Sequence, residues 1–196
     1  MIRYLSKLSC RLFAHFLSIW RLACFSIRGL GGRIRQEGRL RLKVPLVCDG
    51  EGHVQIGSAV SVGYHLAAKF GNGAVRLQAR GHHARIMVGS GTQFSNNVEV
   101  FAEHSVTIGA RCLIGDGVLI MDSDFHDLSA EGRQGGAAAT SPVVLEDNVF
   151  VGSRVIILKG VTIGKDTVIG AGSVVVKSIP GGVIAAGNPA KVIRTL

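Results

Sequence analysis

The sequence predicts an all-β fold, a triangular solenoid of parallel strands wound from six-residue units. Leu145, Val151, Ile157, Ile163, Ile169 and Val175 recur at a fixed step of six, which matches neither a helical nor a simple alternating period. Glycine follows the aliphatic residue at Gly152, Gly164 and Gly170, within a chain holding 27 glycines in 196 residues. That share is about twice the usual one. Aromatic residues make up only 6%, so the interior has to be filled by small and β-branched side chains.

The chain divides by charge. Residues 1–43 carry ten Lys/Arg against one acid, Glu37, while 44–196 carry twelve of each. The excess of +9 therefore sits in the first segment, and the neutral remainder argues against a nucleic-acid-binding domain. Residues 2–27 lack proline and glycine. Their spacing predicts an amphipathic helix with Arg3, Lys7, Arg11, His15 and Ser18 on one stripe and Leu5, Leu8, Leu12, Phe16 and Trp20 elsewhere. Arg11 and Arg21 interrupt any apolar run long enough to span a bilayer, and no cleavage site follows. The segment is expected to pack on the protein or to lie against anionic lipid, on a cytoplasmic protein held peripherally at the inner membrane face. Residues 1–43 are thus expected as one unit and 44–196 as the solenoid domain.

In the second unit, Ile56 and Val62, then Val88, Phe94 and Val100, then Ile108, Ile114 and Ile120 keep the same step of six. Six residues per face and three faces per turn place one aliphatic residue of each unit on the axis, with glycine expected to supply corner angles that side chains forbid. A small or β-branched residue follows four places on, at Val149, Val155, Val161, Thr167 and Ser173. The period slips near Ala102–Glu103, is loose over 64–86 and breaks over 121–143. That last stretch, opening with Asp122, Asp124, His126 and Asp127, is the expected protruding loop. The four cysteines, Cys10, Cys24, Cys48 and Cys112, share no CxxC spacing and predict no disulfide framework.

The repeats resemble the hexapeptide-repeat acyltransferases, which implies a left-handed parallel β-helix over about 52–196. Asp122-Ser123-Asp124-Phe125-His126 and the tail AAGNPAKVIR (185–194) are similar to the sugar O-acetyltransferase branch, including galactoside and maltose acetyltransferases. The resemblance implies acetyl-CoA as co-substrate, no metal, and a sugar hydroxyl as acceptor, in a cell-surface glycan or its lipid-linked precursor. It implies His126 as the general base, a role that suits imidazole because an alcohol is a poor nucleophile at neutral pH. Asp122, Asp124, Asp127 or a backbone carbonyl could orient that ring. On the acceptor side it implies Ser95, Asn96, Asn97, Glu103 and Asp124; along the cofactor it implies Phe150, Ser153, Ala171, Val176, Lys177, Lys191 and Arg194. It also implies a homotrimer with sites between subunits.

Two other readings are open to the sequence. His65, His83, His104 and His126 recur at about one coil each and could hold zinc in a hydratase. A solenoid without catalysis could serve as a scaffold. A nucleotidyltransferase would need a further phosphate-binding domain, for which no residues remain.

Overall fold

The computed structural model describes residues 33–67 and 71–196. The helix expected over 2–27 lies outside them, as do Cys10 and Cys24. Strands follow one another three to a coil. Coil 1 holds β1 (Ile34–Gln36), β2 (Leu40–Leu42) and β3 (Leu46–Asp49); coil 2 holds β4 (His53–Ile56), β5 (Val60–Val62) and β6 (Val75–Ala79). Coil 3 comprises β7 (Arg85–Val88), β8 (Gln93–Phe94) and β9 (Glu99–Ala102), and coil 4 comprises β10 (Ser105–Ile108), β11 (Leu113–Ile114) and β12 (Leu119–Met121). After them come β13 (Val143–Leu145), β14 (Phe150–Val151) and β15 (Ile156–Ile157), then β16 (Thr162–Ile163), β17 (Val168–Ile169) and β18 (Val174–Val175). The chain closes with a hairpin of β19 (Val183–Gly187) and β20 (Ala190–Thr195).

Every third strand pairs in parallel, giving three faces: sheet I (β1-β4-β7-β10-β13-β16), sheet II (β2-β5-β8-β11-β14-β17-β19-β20) and sheet III (β3-β6-β9-β12-β15-β18). The β19–β20 pair alone among these named strands is antiparallel. Equivalent residues stack without slip, as in Leu113↔Phe150 and Phe150↔Val168. Two side chains per face enter the interior, rather than one. Val149 and Val151, Val155 and Ile157, and Val161 and Ile163 are all buried. The polar members of this interior are satisfied: Thr167 Oγ1 donates to Pro180 O at 2.8 Å and Ser173 Oγ to Gly170 O at 2.6 Å.

Coil 1 begins inside the basic segment that the charge count set apart. Leu40, Leu42 and Val44 are buried while Arg39, Arg41 and Lys43 are exposed. The alternation is that of a half-buried strand, and the charged outer residues concealed it in a sum over 1–43. Residues 34–43 therefore belong to the solenoid and not to a helical appendage.

The repeated glycines do two kinds of work. Gly91, Gly117, Gly160 and Gly172 take the corner role expected of them, at φ between 65° and 75°, a role shared with Asn97, Asn148 and Asp166, each at φ 58°, whereas Gly152 does not adopt a positive φ. What Gly152 supplies is clearance, since a Cβ there would lie 2.6 Å from the Ala171 amide nitrogen of the next coil. Gly152→Ala is expected to destabilise the protein by about 1–3 kcal/mol, the usual cost of overpacking. Chemical unfolding checks this, and an unchanged midpoint would mean the coils do not stack so closely.

Candidate active site

Two insertions leave the regular coil. Residues 63–67 and 71–74 lie at the edge between sheets II and III, and residues 122–142 leave the edge between sheets III and I. The second is the loop expected from the sequence, and its stem is tied down on three sides. The buried Asp122 carboxylate accepts the amides of Glu103 and His104, each at 2.8 Å. Across the stem, Ser123 bridges Thr140, Ser141 N donates to Asp122 O at 2.9 Å, and Asp124 N donates to Ala139 O at 3.1 Å. Asp124 then pairs with Lys159 Nζ of the next coil at 3.1 Å.

His126 projects from this stem and is exposed. Its Nδ1 lies 3.3 Å from the Arg133 carbonyl oxygen. In the tautomer whose Nδ1–H donates there, the lone pair sits on Nε2 of this exposed side chain. The orienting group is thus a backbone carbonyl, and the nearby aspartates are engaged otherwise. Asp127 accepts the Ser129 amide at 2.8 Å, and that hydrogen bond together with the Ser129 hydroxyl holds its carboxyl below the ordinary value.

A second layer, carried by contacts that no local spacing encodes, supports the loop from sheet III. Phe125 sits at φ 60°, a conformation that costs a non-glycine residue about 1–3 kcal/mol. The Arg80 guanidinium stacks 4.2 Å from the Phe125 ring centroid and 5.3 Å from that of Phe101, while the two rings meet edge to face at 6.0 Å. Arg80 is itself fixed by Gln78 at 2.8 Å and Glu103 at 3.6 Å. Glu103, expected at the acceptor, therefore stands on the His126 edge, paired with Arg80. Only the folded register brings Arg80, Phe101 and Phe125 together from separate coils.

The other predicted residues fall into groups. Ser95, Ser153 and Ala171 line one groove of 770 Å³ on the edge between sheets II and III, with Tyr64, Asp116 and Arg154. Asn96 is a correction: it is buried, and both Nδ2 hydrogens go to the Tyr64 and Ala67 carbonyls while Oδ1 accepts the Tyr64 amide. Its amide is spent on Tyr64 and Ala67 and leaves no Nδ2 hydrogen for a ligand. Asn97 turns the same corner and donates to Asp116 at 2.8 Å. Val176 and Lys177 follow β18 on the edge that carries His126. Phe150 lies on the outer face of sheet II, 47% exposed beside Leu113 at 44%. Lys191 and Arg194 are exposed on β20, at the end of that sheet.

Of the histidines proposed for zinc, His65 lies on a different edge from the other three. Among the described residues no three His, Cys, Asp or Glu side chains stand close enough to share a metal ion. Cys48 and Cys112 are unbridged. Burial pushes the Cys48 thiol up to about 12, which removes it as a nucleophile near neutrality.

Residues 142–177, covering β13 to β18, match the bacterial transferase hexapeptide (six repeats) model. The chain is 39% identical over 113 residues to the galactoside O-acetyltransferase of Escherichia coli (strain K12), covering 58% of this chain and 55% of that one. It resembles hexapeptide-repeat acetyltransferases. A solved hexapeptide-repeat-containing acetyltransferase from Vibrio cholerae is 35% identical with a TM-score of 0.55, over 57% of this chain and 62% of that one. A polysialic acid O-acetyltransferase structure shares the fold at TM-score 0.64 and 23% identity, over 83% of this chain and 74% of that one. The chain spans about half the length of the curated relatives it matches. Its fold is the left-handed parallel β-helix of these proteins.

The aromatic clamp is open to test without a substrate. Arg80→Met keeps the aliphatic stem and removes a cation–π contact of the kind that contributes about 0.5–2 kcal/mol. Amide hydrogen exchange over 123–128 is expected to speed several-fold, with the global unfolding midpoint nearly unchanged. Unaltered exchange would mean that the guanidinium does not hold Phe125.

Proposed function

We propose that this protein is an acetyl-CoA-dependent O-acetyltransferase acting on a saccharide hydroxyl, with His126 as its general base. The observation that carries the reading is the histidine itself: Nδ1 anchored on the Arg133 carbonyl, Nε2 exposed, on a stem braced by Asp122 and Asp124. Nε2 accepts the acceptor hydroxyl's proton as its oxygen attacks the thioester carbonyl carbon. When the carbon–sulfur bond breaks, the imidazolium returns that proton to the departing thiolate. The similarity to a galactoside O-acetyltransferase supports both the reaction and a sugar acceptor.

Within one chain, His126 and the groove of Ser153 and Ala171 occupy different edges of the prism. A homotrimer in which the groove of one copy faces the His126 edge of the next unites them. The half-exposed Phe150 and Leu113, beside that groove, supply an apolar surface for such a contact. In this arrangement Ser153, Ala171 and the missed Arg154 line the donor's arm from one side, and Val176 and Lys177 from the other. Lys191 and Arg194 meet the phosphates of the nucleotide end. Ser95, Glu103 and Asp124 border the acceptor, and the basic residues that precede Arg33 in the sequence support peripheral contact with an anionic membrane.

Thiol release from acetyl-CoA over a panel of saccharides tests the reading. His126→Ala is expected to lower turnover by about 10²–10⁴-fold while acetyl-CoA binding measured by calorimetry persists. Lys191→Glu with Arg194→Glu is expected to weaken that binding. Full turnover without the imidazole would overturn the assignment.

A further inference from the structure

The outer face of sheet I, away from the groove and the His126 loop, carries a concentration of charge that the proposed reaction does not use. Arg33, Arg35, His53 and Arg85 line one groove of 300 Å³ together with Gln55 and Met87. Strand register explains the convergence. His53, Arg85 and Ser105 stack directly in β4, β7 and β10, with Arg35, Gln55 and Met87 two residues further along the strands. Arg33 joins at the end of the first row, its carbonyl accepting the Val54 amide at 2.9 Å.

Acids at its margins offset this face only in part: Glu37 accepts the Gln55 side-chain amide at 2.9 Å, Asp49 shares a hollow with Arg33, and the acids of the flanking edge also hold other partners. Glu51 pairs with His82 at 3.0 Å, Glu103 with Arg80 at 3.6 Å, and Asp49 with Arg76 at 3.8 Å. Among the described residues none of Arg33, Arg35 and Arg85 forms an ion pair. Three guanidinium groups facing one groove repel each other unless an anion lies between them, and their forked donors suit carboxylate or phosphate.

The position of the row suggests what that anion is. His53 and Arg85 open their strands at the edge between sheets III and I, the edge from which the 122–142 loop departs. The cations of β1, β4 and β7 span two strand spacings, about 10 Å, and two further spacings without a cation separate Arg85 from β13, where the 122–142 loop rejoins the sheet. A concave groove on the side wall suits an extended chain better than a flat bilayer.

On the footing of the proposed acetyl transfer, we infer that Arg33, Arg35 and Arg85 bind an anionic saccharide chain, bearing carboxylate or phosphate groups. One unit of the chain reaches His126 while others lie along sheet I. The acceptor is then a charged polymer, held at a distance from the reacting hydroxyl.

The test measures binding of fluorescent polygalacturonate oligosaccharides to the full-length protein, with neutral maltooligosaccharides and phosphatidylglycerol vesicles as the other probes. A variant carrying Arg33→Ser, Arg35→Ser and Arg85→Ser is expected to bind polygalacturonate at least tenfold more weakly. Added salt should weaken the parent protein in the same way, and maltooligosaccharide binding should be unchanged. Turnover of a small neutral acceptor should be equal in both proteins, which shows that the variant is folded. Arg85→Lys should lose less than Arg85→Ser. Equal polygalacturonate binding by parent and variant overturns the inference, as does a loss confined to vesicle binding. Failure of the parent to acetylate any small saccharide counts against the proposed reaction and leaves the binding comparison to decide the groove.

Discussion

Successive coils approach one another at their corners as closely as backbone allows. A Cβ on Gly152 would meet the Ala171 amide nitrogen at 2.6 Å, and one on Gly115 would meet the Ser153 nitrogen at the same distance. This contact sets the rise of the solenoid and keeps residues of like position in columns, as in Gln93↔Leu113↔Phe150↔Val168. Each other feature of the molecule is a property of those columns. Buried columns make the aliphatic interior, outward ones make the arginine row, and those at the edges place Ser95, Ser153 and Ala171 in one groove.

The rigid solenoid carries His126, the proposed base, on a loop that leaves its coils. What the coil contributes is an anchored starting point. Asp122 is buried with both carboxylate oxygens satisfied by amides of the preceding turn. An unpartnered buried carboxylate would be far costlier, so the loop's root cannot shift without losing both bonds. From there the stem runs outward for four residues, and the Arg80 clamp and the Arg133 carbonyl fix the ring in place of a carboxylate. The loop's glycines serve the same end, since Gly132 and Gly136 pack against the Asp127 side chain with no room for a Cβ.

How much of this was legible depended on whether the determinant was local. The period of six announced the solenoid because each inward residue is a fixed step from the next. The break at 121 exposed the protruding loop for the same reason. Coil 1 was missed where Arg39, Arg41 and Lys43 alternate with Leu40, Leu42 and Val44, because a charge total discards alternation. Asn96 is not legible in the sequence because its partners, Tyr64 and Ala67, lie 32 and 29 residues away across a coil. Arg80, Phe101 and Arg154 gave no signal, since each matters through neighbours that only the stacking supplies. Spacing within one coil could be read directly; contacts between coils required the register.

The proposed site is built from two edges that one chain keeps apart. Subunit mixing tests this most directly: His126→Ala removes the base, and Ala171→Trp blocks the groove. Each variant alone should be inactive in acetyl transfer. Denatured together and refolded as mixed assemblies, they should regain activity, because some contacts then pair an intact groove with an intact histidine. Mixed assemblies as inactive as the separate variants would contradict the shared site and require both functions within a single chain.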